Sequence, residues 1–144
     1  MQAEVDIIVT ETLKEIVEFE LAGVIRYTHY ALMIFGPNRI PHVDFFQAQA
    51  VESLQHAQRA GEILTGLGGH PSMHVTQLEE TNEHDVQSII TESYNHERAA
   101  IGIYTKLLEA TAGKSVFLEE YARSMVAVEE EHLMELRKMM RDLG

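Results

Sequence analysis

The stretch ELAGVIRYT at residues 20–28 is repeated in outline by ERAAIGIYT at residues 97–105. Glutamate, tyrosine and threonine stand at the same places in both copies. A second glutamate follows the glutamate of each copy at the same distance, Glu52 in the first half and Glu129 in the second, and a histidine follows each of these, His56 and His132. The repeat predicts a duplicated unit whose equivalent sites meet across a pseudo-twofold axis. The alternative is chance similarity between alanine-rich amphipathic helices.

Helix-breaking residues divide the chain around these copies into four helices, so we expect an all-α fold. The predicted helices run from about Glu4 to Phe35, from near Pro41 to the glycines at 66–69, from the cap Asn82 to near Gly113, and from Ser115 almost to the end. Short turns join the first two helices and the last two, so each pair should form an antiparallel hairpin. The segment from about Gly68 to Thr81 is long enough to cross the length of the bundle.

Composition narrows the class of protein. The 144 residues suit one domain spanning residues 1–144, and a hydrophobic content of 45% provides for one core. The sequence has no cysteine, so any metal site must use oxygen and imidazole ligands. A formal net charge of -12 argues against a nucleic-acid surface. The sequence has neither a membrane-length apolar run nor an export-signal pattern at its start, and we therefore expect a cytoplasmic protein.

Acidic residues interrupt the apolar stripes that should face the core of the bundle. Stripes with helical spacing run along the first, third and fourth helices. Their members are Leu13, Val17, Glu20, Val24, Tyr27 and Ala31; Ile90, Tyr94, Glu97, Ile101, Tyr104 and Leu108; and Leu118, Ala122, Met125, Glu129, His132, Leu136 and Met139. Burial of unpaired carboxylates costs several kcal/mol or more, so cations should lie among them. Two divalent cations balance four carboxylates.

The second helix carries its polar pair at the edge of its most apolar line, which runs Phe46, Ala50, Ser53, Ala57, Ala60, Leu64 and Leu67. Glu52 and His56 flank this line on one side. Because they are four residues apart, they share a helical face and both can lean inward. We therefore expect both residues to join the metal site. Tyr27 and Tyr104 lie two turns beyond their glutamates, and they either hydrogen-bond to ligand carboxylates or fill the core.

These residues resemble the ferritin-like superfamily, and bacterioferritins in particular. That family places one glutamate on each of two helices and a Glu-x-x-His pair on each of the other two. Glu20, Glu97 and the pair Glu129 and His132 match the pattern position by position. The resemblance implies a ferritin-like four-helix bundle, with two hairpins and a long crossover, that holds two iron ions, or alternatively manganese or zinc. It implies Glu52 and Glu129 as bridging ligands, Glu20 and Glu97 as terminal ligands, and His56 and His132 on one ion each.

The sequence departs from the bacterioferritin pattern at three places. Ser53 stands where the family has the glutamate three residues before His56, and Glu52 is one residue earlier. Leu54 replaces the haem-binding methionine, so haem is not expected. The short fifth helix of cage-forming members has no counterpart, so a 24-subunit shell is not predicted. Apolar residues that we expect to be exposed, such as Ile7, Ile8, Met33 and Phe45, favour contact between subunits, and we expect a homo-oligomer, a dimer or larger.

The resemblance implies a ferroxidase that oxidises ferrous iron with dioxygen or peroxide for iron storage or detoxification. The six residues Glu20, Glu52, His56, Glu97, Glu129 and His132 would then be both metal ligands and catalytic residues. Two alternatives stay open. One is a di-iron or di-manganese oxidoreductase acting on peroxide or an organic substrate beside an apolar cavity. The other is a non-enzymatic helical interaction module whose core acids share protons.

Overall fold

The computed structural model describes the backbone of residues 3–143 and the side chains of residues 7–140. Over that part of the chain there are four helices: α1 (Ala3–Met33), α2 (Arg39–Gly66), α3 (Val86–Thr111) and α4 (Val116–Leu143). The all-α prediction and the number of helices are confirmed. None of these helices contains a segment long and apolar enough to cross a membrane.

The start of α3 corrects the sequence prediction. Asn82, the expected cap, has a φ of 58° and lies in the connection that precedes the helix. Asp85 caps α3 instead, because its carboxylate accepts a hydrogen bond from the backbone N–H of Ser88 at 3.0 Å. A side-chain acceptor at this position satisfies one of the backbone donors that every helix start leaves unpaired. The cap therefore shortens the predicted helix by about one turn.

The turn between α1 and α2 also differs slightly from the prediction. α1 ends at Met33 rather than Phe35, and Gly36 adopts a φ of 113° that favours glycine. The guanidinium of Arg39 donates to the carbonyls of Ala31 and Ile34 at 3.1 and 2.8 Å, which closes the turn. α2 begins at Arg39, two residues before Pro41. Pro41 has no backbone N–H, and the first turn tolerates it because the N–H groups there have no partner within the helix.

The four helices form two hairpins joined by a long crossover, as expected. α1 packs along α2, α3 packs along α4, and α1 packs against α3. Within residues 3–143, no Cα atom of α2 lies within 8 Å of one in α4. The crossover is held on α1 by Glu18, whose carboxylate accepts from the Ser72 hydroxyl at 2.5 Å and whose carbonyl accepts from the N–H of Thr76 at 3.1 Å. The hairpins are therefore joined through one pair of neighbouring helices, and a seam remains between α2 and α4.

The apolar core is divided into two clusters. One contains Val9, Leu13, Ile16, Val17, Ala60, Ile63, Leu64, Tyr104, Leu107, Leu118, Tyr121, Ala122 and Met125. The other contains Tyr27, Tyr30, Ala31, Ile34, Phe46, Ala50, Ile89, Ile90 and Leu136. Buried carboxylates lie in neither cluster and come from the middle of α1, α3 and α4, so a polar layer crosses the bundle between two packed halves.

Candidate metal centre

The six residues singled out by their spacing converge on this polar layer. α1 contributes Glu20, α2 contributes Glu52 and His56, α3 contributes Glu97, and α4 contributes Glu129 and His132. The carboxylates of Glu20, Glu97 and Glu129 are buried, with only 1% of Glu129 exposed. His56 and His132 are half-buried. On α4, Glu130 and Glu131, which lie between Glu129 and His132, face solvent.

The side chains form two groups that share Glu129, and every ligand atom of a group lies within 4.8 Å of the others. In the first group, Nδ1 of His56 lies 3.0 Å from Oε2 of Glu20 and 3.5 Å from Oε1 of Glu129. In the second, Nδ1 of His132 lies 3.3 Å from Oε2 of Glu129 and 3.7 Å from Oε2 of Glu97. One oxygen of Glu129 thus faces each group, as a bridging carboxylate requires.

Two tyrosines hold the carboxylates of Glu20 and Glu97 in a reciprocal arrangement. The Tyr27 hydroxyl on α1 donates to Glu97 on α3, and the Tyr104 hydroxyl on α3 donates to Glu20 on α1 at 2.6 Å. Burial, with the nearby carboxylates, raises the pKa of both tyrosines, so both remain protonated donors. The reciprocal contacts show that the repeated Glu and Tyr positions are equivalent in space. Both roles considered for these tyrosines are observed, because their rings lie in the two core clusters and their hydroxyls donate to the carboxylates.

Sequence reasoning missed the role of Ser53, which it treated only as a missing glutamate. Its hydroxyl lies 2.7 Å from the carbonyl oxygen of Glu20 and 2.8 Å from Oε1 of the same residue. This serine is buried in a narrow gap between α1 and α2, opposite Gly23. Ser53 therefore orients a candidate ligand instead of supplying one. The only signal in the sequence was its place on the apolar line of α2.

Glu52 lies at the site but outside both groups. Its Oε1 is 3.2 Å from Nε2 of His132 and 3.6 Å from Nε2 of His56, on the side of each ring that faces away from Glu129. The hydrogen bond from His132 lowers the pKa of Glu52 despite its partial burial. His96 also lies outside the two groups. Its ring stacks on that of Phe19, with the ring centroids 4.3 Å apart.

The layer is electrostatically unbalanced in the absence of cations. Burial raises the pKa of Glu129, and the nearby Glu97 raises it further. Burial alone would raise the pKa of Glu97, but the nearby Glu129 and His132 and the hydrogen bond from Tyr27 outweigh this effect and lower it. Of these two neighbouring carboxyls, Glu129 therefore carries the proton and Glu97 is ionised.

The residues present fit a pair of divalent metal ions. Oε2 of Glu129 and Nδ1 of His132 are buried and have no hydrogen-bond partner among residues 7–140. Buried polar atoms are rarely left unpaired, and these two face each other across a gap lined with ligand atoms. Carboxylate oxygens with one imidazole nitrogen in each group suit iron, manganese or zinc.

Comparison with known proteins agrees with this geometry. The sequence profile of the family described as Ferritin-like domain matches residues 10–144. The chain belongs to this family. A ferritin-like, diiron-carboxylate protein of Bacillus anthracis is 26% identical, with a TM-score of 0.88 over 97% of this chain and 99% of that one. No curated protein is detectably similar in sequence.

More distant structures share the fold of this ferritin-like chain. A dodecameric thioferritin of Bacteroides fragilis, described as bacterioferritin-related, is 24% identical with a TM-score of 0.87, covering 96% of this chain and 87% of that one. A bacterioferritin of Desulfovibrio desulfuricans with a diiron site is 21% identical with a TM-score of 0.82, covering 96% and 81%. The predicted ferritin-like bundle is confirmed by these likenesses together with the family match.

The shifted pKa values of Glu129 and His132 predict how the free energy of unfolding of the metal-free chain depends on pH. Burial alone would lower the pKa of His132, but the nearby carboxylates of Glu129, Glu52 and Glu97 outweigh this effect and raise it. Since the pKa of Glu129 is raised too, the folded state holds both protons more tightly than the unfolded state does. The stabilisation is complete at low pH and is lost as the pH rises. Between about pH 6 and pH 9 the free energy of unfolding should fall, by at most about 1.4 kcal/mol per pH unit for each proton.

Urea unfolding of chelator-treated protein, followed by circular dichroism at several pH values, measures this slope. Glu97 and Glu52, whose pKa values are lowered, are ionised in both states over this range and add no slope. The variant Glu129→Gln should have a smaller slope because glutamine does not titrate. A metal-free parent that becomes more stable from pH 6 to pH 9 would contradict the assignment of these protons.

Proposed function

We propose that this chain binds two ferrous ions in the polar layer and oxidises them with dioxygen or peroxide, for iron storage or detoxification. The observation that supports this most strongly is Glu129, which presents one carboxylate oxygen to each of two groups of ligand atoms. Glu20 and His56 would complete the first ion, and Glu97 and His132 the second. The net charge of -12 favours the approach of cations.

The protein side chains prepare the site for this reaction. Tyr104 and Ser53 hold the carboxylate of Glu20 from two sides, and Tyr27 holds that of Glu97. Cation binding replaces the proton on Glu129, so uptake of metal should release protons. Two bound ferrous ions supply two electrons, and one dioxygen that takes them up with two protons leaves as hydrogen peroxide. Carboxylates and imidazoles remain ligands for the ferric product.

The space beside the site favours a small oxidant over an organic substrate. The cavity that borders His132 has a volume of about 40 Å³ and is also lined by Tyr27, Phe45, Gln49, Glu135 and Leu136. That volume suits a water-sized molecule, whereas pockets for organic ligands occupy several hundred Å³. Dioxygen and peroxide are therefore the preferred oxidants for this proposal.

Aerobic addition of ferrous iron tests the proposal. The parent chain, given two ferrous ions per chain, should oxidise them faster than buffer does, and the double variant Glu20→Ala, Glu129→Ala should lose this rate by about tenfold or more. The matched control is Glu130→Ala, Glu131→Ala, which removes two exposed carboxylates from the same turn of α4 and should keep the parent rate. Ferric absorbance and dioxygen uptake are measured together.

Equal rates in the parent, the site variant and the control would refute the proposal. The same samples are then examined by sedimentation, because a loaded particle that grows with added iron indicates storage. Rapid oxidation without such a particle indicates detoxification. We propose a homo-oligomer on the basis of the relative described as dodecameric, and sedimentation of the unloaded protein measures its size.

A further inference from the structure

Glu52 contacts both histidines through a single carboxylate oxygen. Its Oε1 lies 3.2 Å from Nε2 of His132 and 3.6 Å from Nε2 of His56. The side chain is 34% exposed, whereas that of Glu129 is 2% exposed. Glu52 therefore lies at the outer edge of the polar layer, where α2 faces α4 across the seam.

The two nitrogens of each imidazole face different carboxylates. Nδ1 of His56 faces Glu20 and Glu129, and Nδ1 of His132 faces Glu97 and Glu129. Nε2 of both rings faces Glu52 alone among the carboxylates within 4.0 Å in the described side chains. A histidine that binds metal through one nitrogen commonly donates the N–H of the other to a carboxylate, which fixes the ring and its tautomer.

Helix geometry explains why Glu52 and its repeat equivalent Glu129 lie on different sides of the histidines. Glu129 precedes His132 by three residues, and Glu52 precedes His56 by four. One residue rotates a side chain by about 100° around a helix, so the extra residue turns Glu52 away from the interior. The inward position on α2 is Ser53, which faces Gly23 and donates to Glu20. The two halves of the repeat have thus diverged.

We propose that Glu52 is a shared positioning residue, which accepts a hydrogen bond from the Nε2–H of His132 and attracts the Nε2–H of His56 at 3.6 Å, so that both rings present Nδ1 to the metal pair, and that it is not a bridging ligand. This inference rests on the proposed metal site. It revises the role that the family resemblance implies for this residue. It also leaves three inner carboxylates as ligands, with Glu129 as the bridge.

Zinc loading tests this role without any redox activity. The variants are Glu52→Gln, whose amide oxygen still accepts hydrogen bonds, Glu52→Ala, and Glu62→Gln as a control that changes an exposed glutamate on the same helix. Zinc per chain is measured by mass spectrometry and affinity by competition with a chelator. Nitrogen-15 spectra of labelled histidine report which ring nitrogen carries the proton.

In the zinc-loaded parent we expect two ions per chain, with His56 and His132 both protonated at Nε2. Glu52→Ala should still bind two ions, with an affinity lower by about 10–100-fold and with ring N–H signals lost to exchange with water. Glu52→Gln should recover most of the affinity and both N–H signals, and the control should match the parent.

Two results would overturn the inference, and only the second would also overturn the proposed metal site. Loss of one zinc ion per chain in both Glu52→Gln and Glu52→Ala would make Glu52 a ligand and leave the metal site standing. A parent chain that binds no zinc, iron or manganese would remove the metal site itself, and the positioning role would fall with it.

Discussion

The variant Glu129→Gln should bind almost no metal, with less than about a tenth of the parent's ferrous or zinc occupancy at the same free concentration. Glu129 is the residue that both groups of ligand atoms share, so its loss removes one ligand from each ion at once. Glutamine keeps the shape of the side chain, but it has no negative charge to place between two cations. The measurement is metal per chain after dialysis against a fixed free concentration.

Glu20→Gln is the comparison variant, because Glu20 belongs to one group only. It should keep about half of the parent's metal, since the group of Glu97, Glu129 and His132 is unchanged. The metal-free form of Glu129→Gln should be at least as stable as the parent at neutral pH, since burial opposes ionisation of this carboxyl and raises its pKa. Lost metal therefore cannot be attributed to unfolding. Equal occupancy in both variants would contradict a bridging role for Glu129.

The variant Gly23→Ala should lower the free energy of unfolding of the metal-free chain by about 1–2 kcal/mol. An added Cβ at Gly23 would lie 2.4 Å from Oγ of Ser53 and 3.1 Å from Nε2 of His96. Ser53 cannot move without breaking its contacts with Glu20, so either α1 and α2 separate or the carboxylate of Glu20 loses its support. The expected cost exceeds the gain of about 0.5–1 kcal/mol that alanine brings to a helix interior.

Gly102→Ala provides the matched control for this effect. Gly102 lies inside α3, and in the described part of the chain its added Cβ would meet no atom within 4 Å beyond the nearby backbone of α3 and the adjacent residues, so alanine should raise the free energy of unfolding by about 0.5–1 kcal/mol. Urea unfolding followed by circular dichroism measures both variants. The two substitutions should thus have opposite signs. A Gly23→Ala chain more stable than the parent would show that the gap between α1 and α2 is wider than described.

The architecture was predictable because helix breakers and periodic apolar residues are local signals. The four helices, the two hairpins and the crossover follow from them. The boundaries were less predictable, since a cap depends on which side chain reaches a free N–H. Asp85 caps α3 in place of Asn82 for this reason, and the helix therefore begins about one turn later than predicted, which only the structure shows.

The site was predictable where acids interrupt an apolar stripe, and less so at its edge. Glu20, Glu97 and Glu129 are buried as their stripes require. Glu52 lies four residues before its histidine, and spacing alone does not say which ring nitrogen it faces. That outcome depends on the rotamers of His56 and His132 and on the distance across to α4, which are tertiary properties. The ligand roles of Glu20, His56, Glu97, Glu129 and His132 remain predictions.

The separation of the backbones of α2 and α4 sets the timescale on which the site is reached. In the middle of that seam, the side chains of Glu52 and His132 meet at 3.2 Å. Rotation of a partly exposed side chain takes picoseconds to nanoseconds, whereas movements of whole helices take microseconds or longer. Typical turnover takes about a millisecond to a second. An ion or a small oxidant could therefore enter by side-chain rotation alone, and the two packed halves of the bundle would stay intact throughout the cycle.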